Sequence, residues 1–212
     1  DPCTGTFFCD DFERATLAGG AIPWQVDVTG GASLTIEPRA GRGGGLVARS
    51  DASGNSALLS TSVALPSDGA ARVTVRLTYE VLDDGCSGGG YTDLLQVNVK
   101  GMGYMNVNLG NDCELHISFG CEGATACDEW VPLVKGGRTR GRVHELVFGA
   151  RLEGSVPEGF YALDGAGEES PIGLPAQGPP APRFFVALGV DQADGRTGVI
   201  GIRYEHVSVT LE

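Results

Sequence analysis

The stretch Ala71-Arg72-Val73-Thr74-Val75-Arg76-Leu77-Thr78-Tyr79-Glu80-Val81-Leu82 decides the fold. Apolar Val73, Val75, Leu77, Tyr79 and Val81 alternate with Arg72, Thr74, Arg76, Thr78 and Glu80. Side chains of a strand point to opposite faces in turn, so this period of two predicts a strand with one buried face and one wet face. The same period recurs downstream. Leu95, Val97 and Val99 alternate with Gln96, Asn98 and Lys100, and Met105, Val107 and Leu109 alternate with Asn106, Asn108 and Gly110. Joined through Gly101-Met102-Gly103, the two runs predict a hairpin with Val99 opposite Met105 and Val97 opposite Val107. Further strands are expected over 115–119, 142–152, 160–163, 183–190 and 199–211, with weaker ones over 24–28, 33–37, 45–49 and 56–64. Asp164-Gly165 predicts a turn. At Glu205-His206 the apolar phase slips from Ile200, Ile202 and Tyr204 to Val207, Val209 and Leu211, which predicts a β-bulge.

Composition agrees with this pattern. Of 212 residues, 34 are Gly and 11 are Pro, which interrupt helices and supply turns. About eleven to fourteen short strands require two packed sheets, since one open sheet would leave a long apolar face in water. A sandwich and a closed barrel both satisfy that demand, and the variable strand lengths favour the sandwich. No linker divides residues 1–212, so one domain is expected. The formal charge of −12 repels phosphate backbones and anionic lipid heads, which argues against nucleic-acid and membrane-surface partners. No apolar run approaches the ~18 residues of a membrane span.

The chain begins at Asp1 rather than Met, the expectation being an exported chain at the cell surface or beyond. Six cysteines fit disulfides of an oxidising compartment. Cys3 and Cys9 bracket a short loop, Cys121 and Cys127 bracket another, and Cys86 remains for Cys113, so three bridges are expected. A zinc site would want closer cysteine pairs than these.

Three segments carry a family resemblance. Phe8-Cys9-Asp10-Asp11-Phe12-Glu13 resembles the opening of secreted concanavalin A-like (laminin G-like) jelly rolls, common in bacteria. The run from Arg142 to Leu152, followed by Phe160-Tyr161-Ala162-Leu163-Asp164-Gly165, is similar to their strand-plus-turn unit. Phe185 to Gly189, then Ile202 to Val209, resembles their closing strand, with Glu205-His206 where Asp-Asn is usual. The resemblance implies an all-β, two-sheet antiparallel jelly roll whose two ends pair. It also implies a structural calcium, held by Asp10, Asp11 or Glu205, as the one candidate cofactor.

Catalytic patterns are weak by comparison. Gly85-Cys86-Ser87-Gly88-Gly89 matches a nucleophile-elbow pattern, but a helix should follow it and glycines follow instead. The resemblance implies Glu-x-Asp-x-x-Glu on one strand for a glycosidase, and no segment has it. A lyase would need a base beside a cation, for which Tyr79 with Arg76 or His144 with Arg142 are the candidates. His116, His144 and His206 all read as wet-face residues, and Asp191 to Gly195 as an Asp-capped turn. Tyr104, Asn106 and Asn108 share one exposed face, joined by Gln96 and Asn98 on the neighbouring strand. Aromatic rings stack on sugar rings and amides bond their hydroxyls, so this face is the expected ligand site. The leading expectation is therefore a non-catalytic recognition or adhesion module binding carbohydrate or another surface polymer. A self-associating subunit of an extracellular fibre or coat comes second, and a carbohydrate-active hydrolase or lyase third.

Overall fold

The computed structural model describes residues 3–17, 22–39, 42–51, 55–64, 71–85, 87–88, 92–99, 103–110, 114–121, 124–132, 140–151, 158–165, 172–173, 183–192 and 196–212. Every regular element among them is a strand. In chain order these are β1 (Phe8–Asp10), β2 (Gln25–Val28), β3 (Ser33–Arg39), β4 (Arg42–Ser50), β5 (Ser56–Ala64), β6 (Arg72–Asp84), β7 (Ser87–Gly88), β8 (Thr92–Val99) and β9 (Gly103–Leu109). There follow β10 (Leu115–Cys121), β11 (Ala124–Pro132), β12 (Val143–Arg151), β13 (Glu158–Leu163), β14 (Ile172–Gly173), β15 (Arg183–Gln192), β16 (Arg196–Thr197) and β17 (Ile200–Leu211).

Two antiparallel sheets pack face to face. The first runs β14-β13-β12-β6-β17-β4-β3, with β1 also pairing β17, and the second runs β11-β10-β9-β8-β15-β5-β2. The two chain ends meet in the first sheet, where Phe8 pairs Val209 and Asp10 pairs Val207. The alternating stretch becomes β6 at the centre of that sheet, with Val73, Val75, Leu77, Tyr79 and Val81 buried. Its apolar face meets Leu95, Val97, Val186 and Leu188 of the second sheet within one core cluster. The bulge forms where the phase slip places it: Tyr204 pairs Tyr79 and His206 pairs Thr78, leaving Glu205 as the extra residue.

Three expectations need correction. The β8–β9 hairpin pairs Val97 with Met105 and Leu95 with Val107, two residues off the predicted register. A shift of two keeps every side chain on its own face, so the alternation could not distinguish the registers. His144 is not on a wet face: it is 1 % exposed, in phase with buried Leu146 and Phe148. Tyr79 is 2 % exposed and stacks near the His144 ring, so neither lyase candidate reaches solvent. Of the three bridges, Cys3–Cys9 is formed. Cys86 and Cys113 lie outside the described residues, as do the side chains of Cys121 and Cys127.

The Asp164-Gly165 turn explains how a histidine survives in the core. Both residues take left-handed backbone angles, with φ of 52° and 71°. The turn aims the Asp164 carboxylate back at β12, where it accepts from Glu145 N at 2.9 Å and from His144 Nδ1 at 2.9 Å. Arg142 closes on the same carboxylate at 3.1 Å. Burial raises the Asp164 pKa, but the Glu145 N–H, His144 and Arg142 together hold it below its ordinary value. Asp164→Ala leaves the His144 ring buried with no partner on Nδ1, and stranding a buried polar group costs roughly 1–3 kcal/mol. Chemical unfolding should show a loss of that size; unchanged stability would remove Asp164 from this role.

Candidate functional site

The site lies on the outer face of the second sheet and arises from a break in strand phase. Along β8, Leu95 and Val97 point into the core while Gln96 and Asn98 point outward. Strict alternation would send Asp93 inward with Leu95. Instead Asp93 pairs Asn108 while Leu95 pairs Val107, so Leu94 is an extra residue against β9. A bulge of this kind turns the following side chain to the other face. On the β15 side the register jumps from Leu95–Leu188 to Asp93–Asp191. Two carboxylates are thereby brought opposite each other on adjacent strands. Residues directly opposed in an antiparallel pair hold their Cβ atoms about 4.5–5.5 Å apart. A cavity of about 20 Å³ opens between them, lined by Leu58, Gln96 and Ala187 as well as the two acids. That volume has room for roughly one water.

The two acids sit in different surroundings. Burial pushes the Asp93 carboxyl up, the charge of Asp191 pushes further, and an Asn108 hydrogen bond pulls back, leaving it at about 7. Asp191 is exposed. Asn108 donates from Nδ2 to Asp93 Oδ1. Its orientation is fixed from behind, because Ser118 Oγ donates to Asn108 Oδ1 at 3.1 Å. A carboxylic acid that keeps its proton near neutrality, beside a solvated second acid, is the pairing from which acid–base chemistry is built.

The residues anticipated as a ligand platform surround this pair. Gln96 faces Asn106, Asn98 faces Tyr104 and Asp93 faces Asn108 across the β8–β9 ladder. The platform is less open than alternation suggests, since Asn106 is 8 % and Asn108 2 % exposed. The Asn98 and Asn106 side-chain oxygens have no hydrogen-bond donor among the described residues. Asp93 went unnoticed in the sequence, and Asp191, expected to cap a turn, lies instead within β15. The signal for Asp93 was the adjacent pair Leu94-Leu95, two buried leucines that violate period two. Among the described side chains of this face there is no Lys or Arg.

Asp11, Glu205 and His206 belong elsewhere, at the outer face of the first sheet, while Asp10 is buried on the inner side beside Phe8. Asp10 accepts from Phe12 N and Arg14 through Oδ1 and from Trp24 Nε1 through Oδ2. Glu205 is paired with Arg39, and His206 Nδ1 stands 3.9 Å from Cys9 Sγ. N–H donors and a guanidinium group hold both Asp10 oxygens, and Arg39 holds Glu205, so these two side chains are poorly placed to ligate calcium. A cavity of about 570 Å³ on this face is lined by Asp11, Arg39, Arg76, Arg203, Glu205 and His206 among others, and ion pairs cross it.

No protein-family model matches the chain, and no curated protein matches it. Solved structures do. A glycosyl hydrolase family protein from Mycobacterium fortuitum is 14% identical, with a TM-score of 0.64 over 96% of this chain and 99% of that one. The endo-1,3-beta-glucanase from Streptomyces sioyaensis is 15% identical, with a TM-score of 0.64 over 99% and 97%. The fold is that of the bacterial glucanases. The pseudo beta-1,3-glucanase of Mycobacterium tuberculosis, an immunostimulatory antigen, shares it too, at 16% identity and a TM-score of 0.58 over 98% and 99%. These neighbours overturn the expectation of a non-catalytic recognition module and the reading that the chain is no enzyme. Several structures built on this plan carry hydrolase or glucanase names, and this one carries opposed acids on the outer face of its second sheet.

The protonation of Asp93 can be read from stability. Its folded pKa stands above the unfolded value of 3.8, so the folded state binds the extra proton as pH climbs from there to about 7. The stabilisation is complete below that window and lost across it. Asp93→Asn has no such dependence. Urea unfolding at a series of pH values should show the variant gaining on the wild type from pH 4 to 7 and levelling above. A constant difference at every pH would contradict the raised pKa.

Proposed function

We propose that the protein is a carbohydrate-active hydrolase that cleaves neutral glycan chains, with Asp93 and Asp191 as its two carboxyl groups. The observation that carries this reading is the opposition of the two acids across β8 and β15, one of them holding its proton to about pH 7. Glycosidases need such a pair: one carboxylic acid to protonate the leaving oxygen and one carboxylate to attack or to activate water. Asp93, half-buried and protonated, donates to the glycosidic oxygen as the bond to the anomeric carbon breaks. Asp191, exposed, attacks that carbon from the opposite side. Water then releases the sugar, returning a proton to Asp93. The short separation expected for directly opposed residues favours direct attack, and hence retention of anomeric configuration.

The substrate class follows from charge. Two acids, no described cation on the face, and a chain charge of −12 repel uronates and sulfated sugars. Elimination on uronates also needs a cation to neutralise the carboxylate. Tyr104, Gln96, Asn98 and Asn106 supply an uncharged polar floor, and sugar hydroxyls supply donors for amide oxygens that have none. The Cys3–Cys9 bridge fits an oxidising compartment, where polymeric glycans are met.

Reducing-end release should be measured on neutral β-glucans and on a polyuronate. Release is expected from a neutral polymer alone, with retained configuration by NMR and a rate that falls above about pH 7. Asp93→Asn and Asp191→Asn should each lose at least ~100-fold, the lower end of what general acid–base groups contribute. Release that neither substitution affects would sink the assignment.

A further inference from the structure

We infer that Tyr204 is a positioning residue for the acid pair, reaching through the core from the opposite sheet to hold the ladder break that brings Asp93 and Asp191 together; this rests on the hydrolase reading only for its effect on rate. Tyr204 lies on β17 in the first sheet and is fully buried. Its hydroxyl oxygen is 2.6 Å from the Leu94 carbonyl and 2.6 Å from the Gly189 carbonyl, both in the second sheet. Those two residues occupy the interval where β8 and β15 lose their register, between Leu95–Leu188 and Asp93–Asp191. Carbonyls freed from a ladder inside a core must find another donor. One O–H, shared between them, supplies it and draws the two strands to the same point. Burial raises the Tyr204 pKa, so the hydroxyl keeps its hydrogen through the working range.

The neighbouring backbone leaves little freedom to replace this contact. Gly189 has φ of 149°, and a Cβ added there would run into the Ala57 carbonyl. On one side of the break, Asp93 precedes Leu94 directly; on the other, Asp191 follows Gly189 by two residues. Loss of the shared donor lets the strands separate at the break. Asp191 then moves from Asp93, water enters, and both causes that keep Asp93 protonated weaken together.

Tyr204→Phe removes the oxygen and keeps the ring. The readout is the midpoint of the Asp93 carboxyl resonance in a 13C NMR titration, which needs no substrate. The variant should titrate at least one pH unit below the wild type, and the displacement should be smaller in an Asp191→Asn background, where the burial contribution alone is left to lose. With a cleavable glycan, the basic limb of kcat/KM should move down with it, and kcat should fall about tenfold at neutral pH while KM holds. A variant that is less stable but titrates Asp93 unchanged would reduce Tyr204 to packing and overturn the inference. Should Tyr204→Phe fail to fold, 3-fluorotyrosine at position 204 keeps the shape and alters donor strength. A displaced Asp93 midpoint then supports the clamp and an unmoved one overturns it. If no glycan is cleaved, the titration still decides the inference, while the hydrolase reading fails on its own.

Discussion

An antiparallel strand can present side chains to only two faces, in strict turn, and the candidate site exists because β8 breaks that rule once. With regular alternation Asp93 would point into the core beside Leu95 and Val97, where a carboxyl group has no place. The extra residue Leu94 turns it out to the surface, level with Asn108 on one neighbour and Asp191 on the other. The remaining chemistry follows from that turn. The side chain emerges only part-way, so burial raises its pKa, and it emerges opposite another acid, so repulsion raises it further. A fully exposed aspartate in the same strand would have neither property.

The core accommodates this break with polar groups of its own. Tyr204, Tyr79 and His144 lie on three strands of the first sheet, with Tyr79 opposite both of the others in the ladders. Tyr204 answers the carbonyls of Leu94 and Gly189, while Asp164 answers His144 from the turn at the end of β13. These groups sit in a core otherwise made of Val, Leu, Ile, Phe, Ala and Met. Buried polar atoms cost stability unless partnered, and satisfied ones specify a single arrangement. Tyr204 bonds across to the second sheet, at Leu94 and Gly189 beside the two acids.

Much of the fold was legible in the sequence, because period two is a property of strands and is written directly in residues 72–81. The bulge at Glu205 was legible for the same reason, as a slip between two clean alternations. The hairpin register was not, since moving Val97 from Val107 to Met105 changes no side chain's face. His144 was misread because histidine is polar, although its phase with Leu146 and Phe148 places it inside. Alternation alone puts Tyr104, Gln96, Asn98, Asn106 and Asn108 on one face, and the ladder pairs them there, with Asn106 and Asn108 more buried than alternation implies. Asp93 and Asp191 are 98 residues apart, and no local pattern joins them. Their pairing depends on β15 lying beside β8, a fact of topology. The Glu-x-Asp-x-x-Glu pattern could not find this pair, because it looks for all the acids on one strand and this face draws its two from neighbouring strands.

The site depends on the coupling of Asp93 to Asp191, and that coupling is measured by following the Asp93 carboxyl carbon across pH in the wild type and in Asp191→Asn. The wild type should titrate near 7, and removal of the neighbouring charge should lower the midpoint while leaving it above the ordinary value of 3.8, because burial remains. A wild-type midpoint already near 3.8, indifferent to the substitution, would show two independent surface acids and contradict the site.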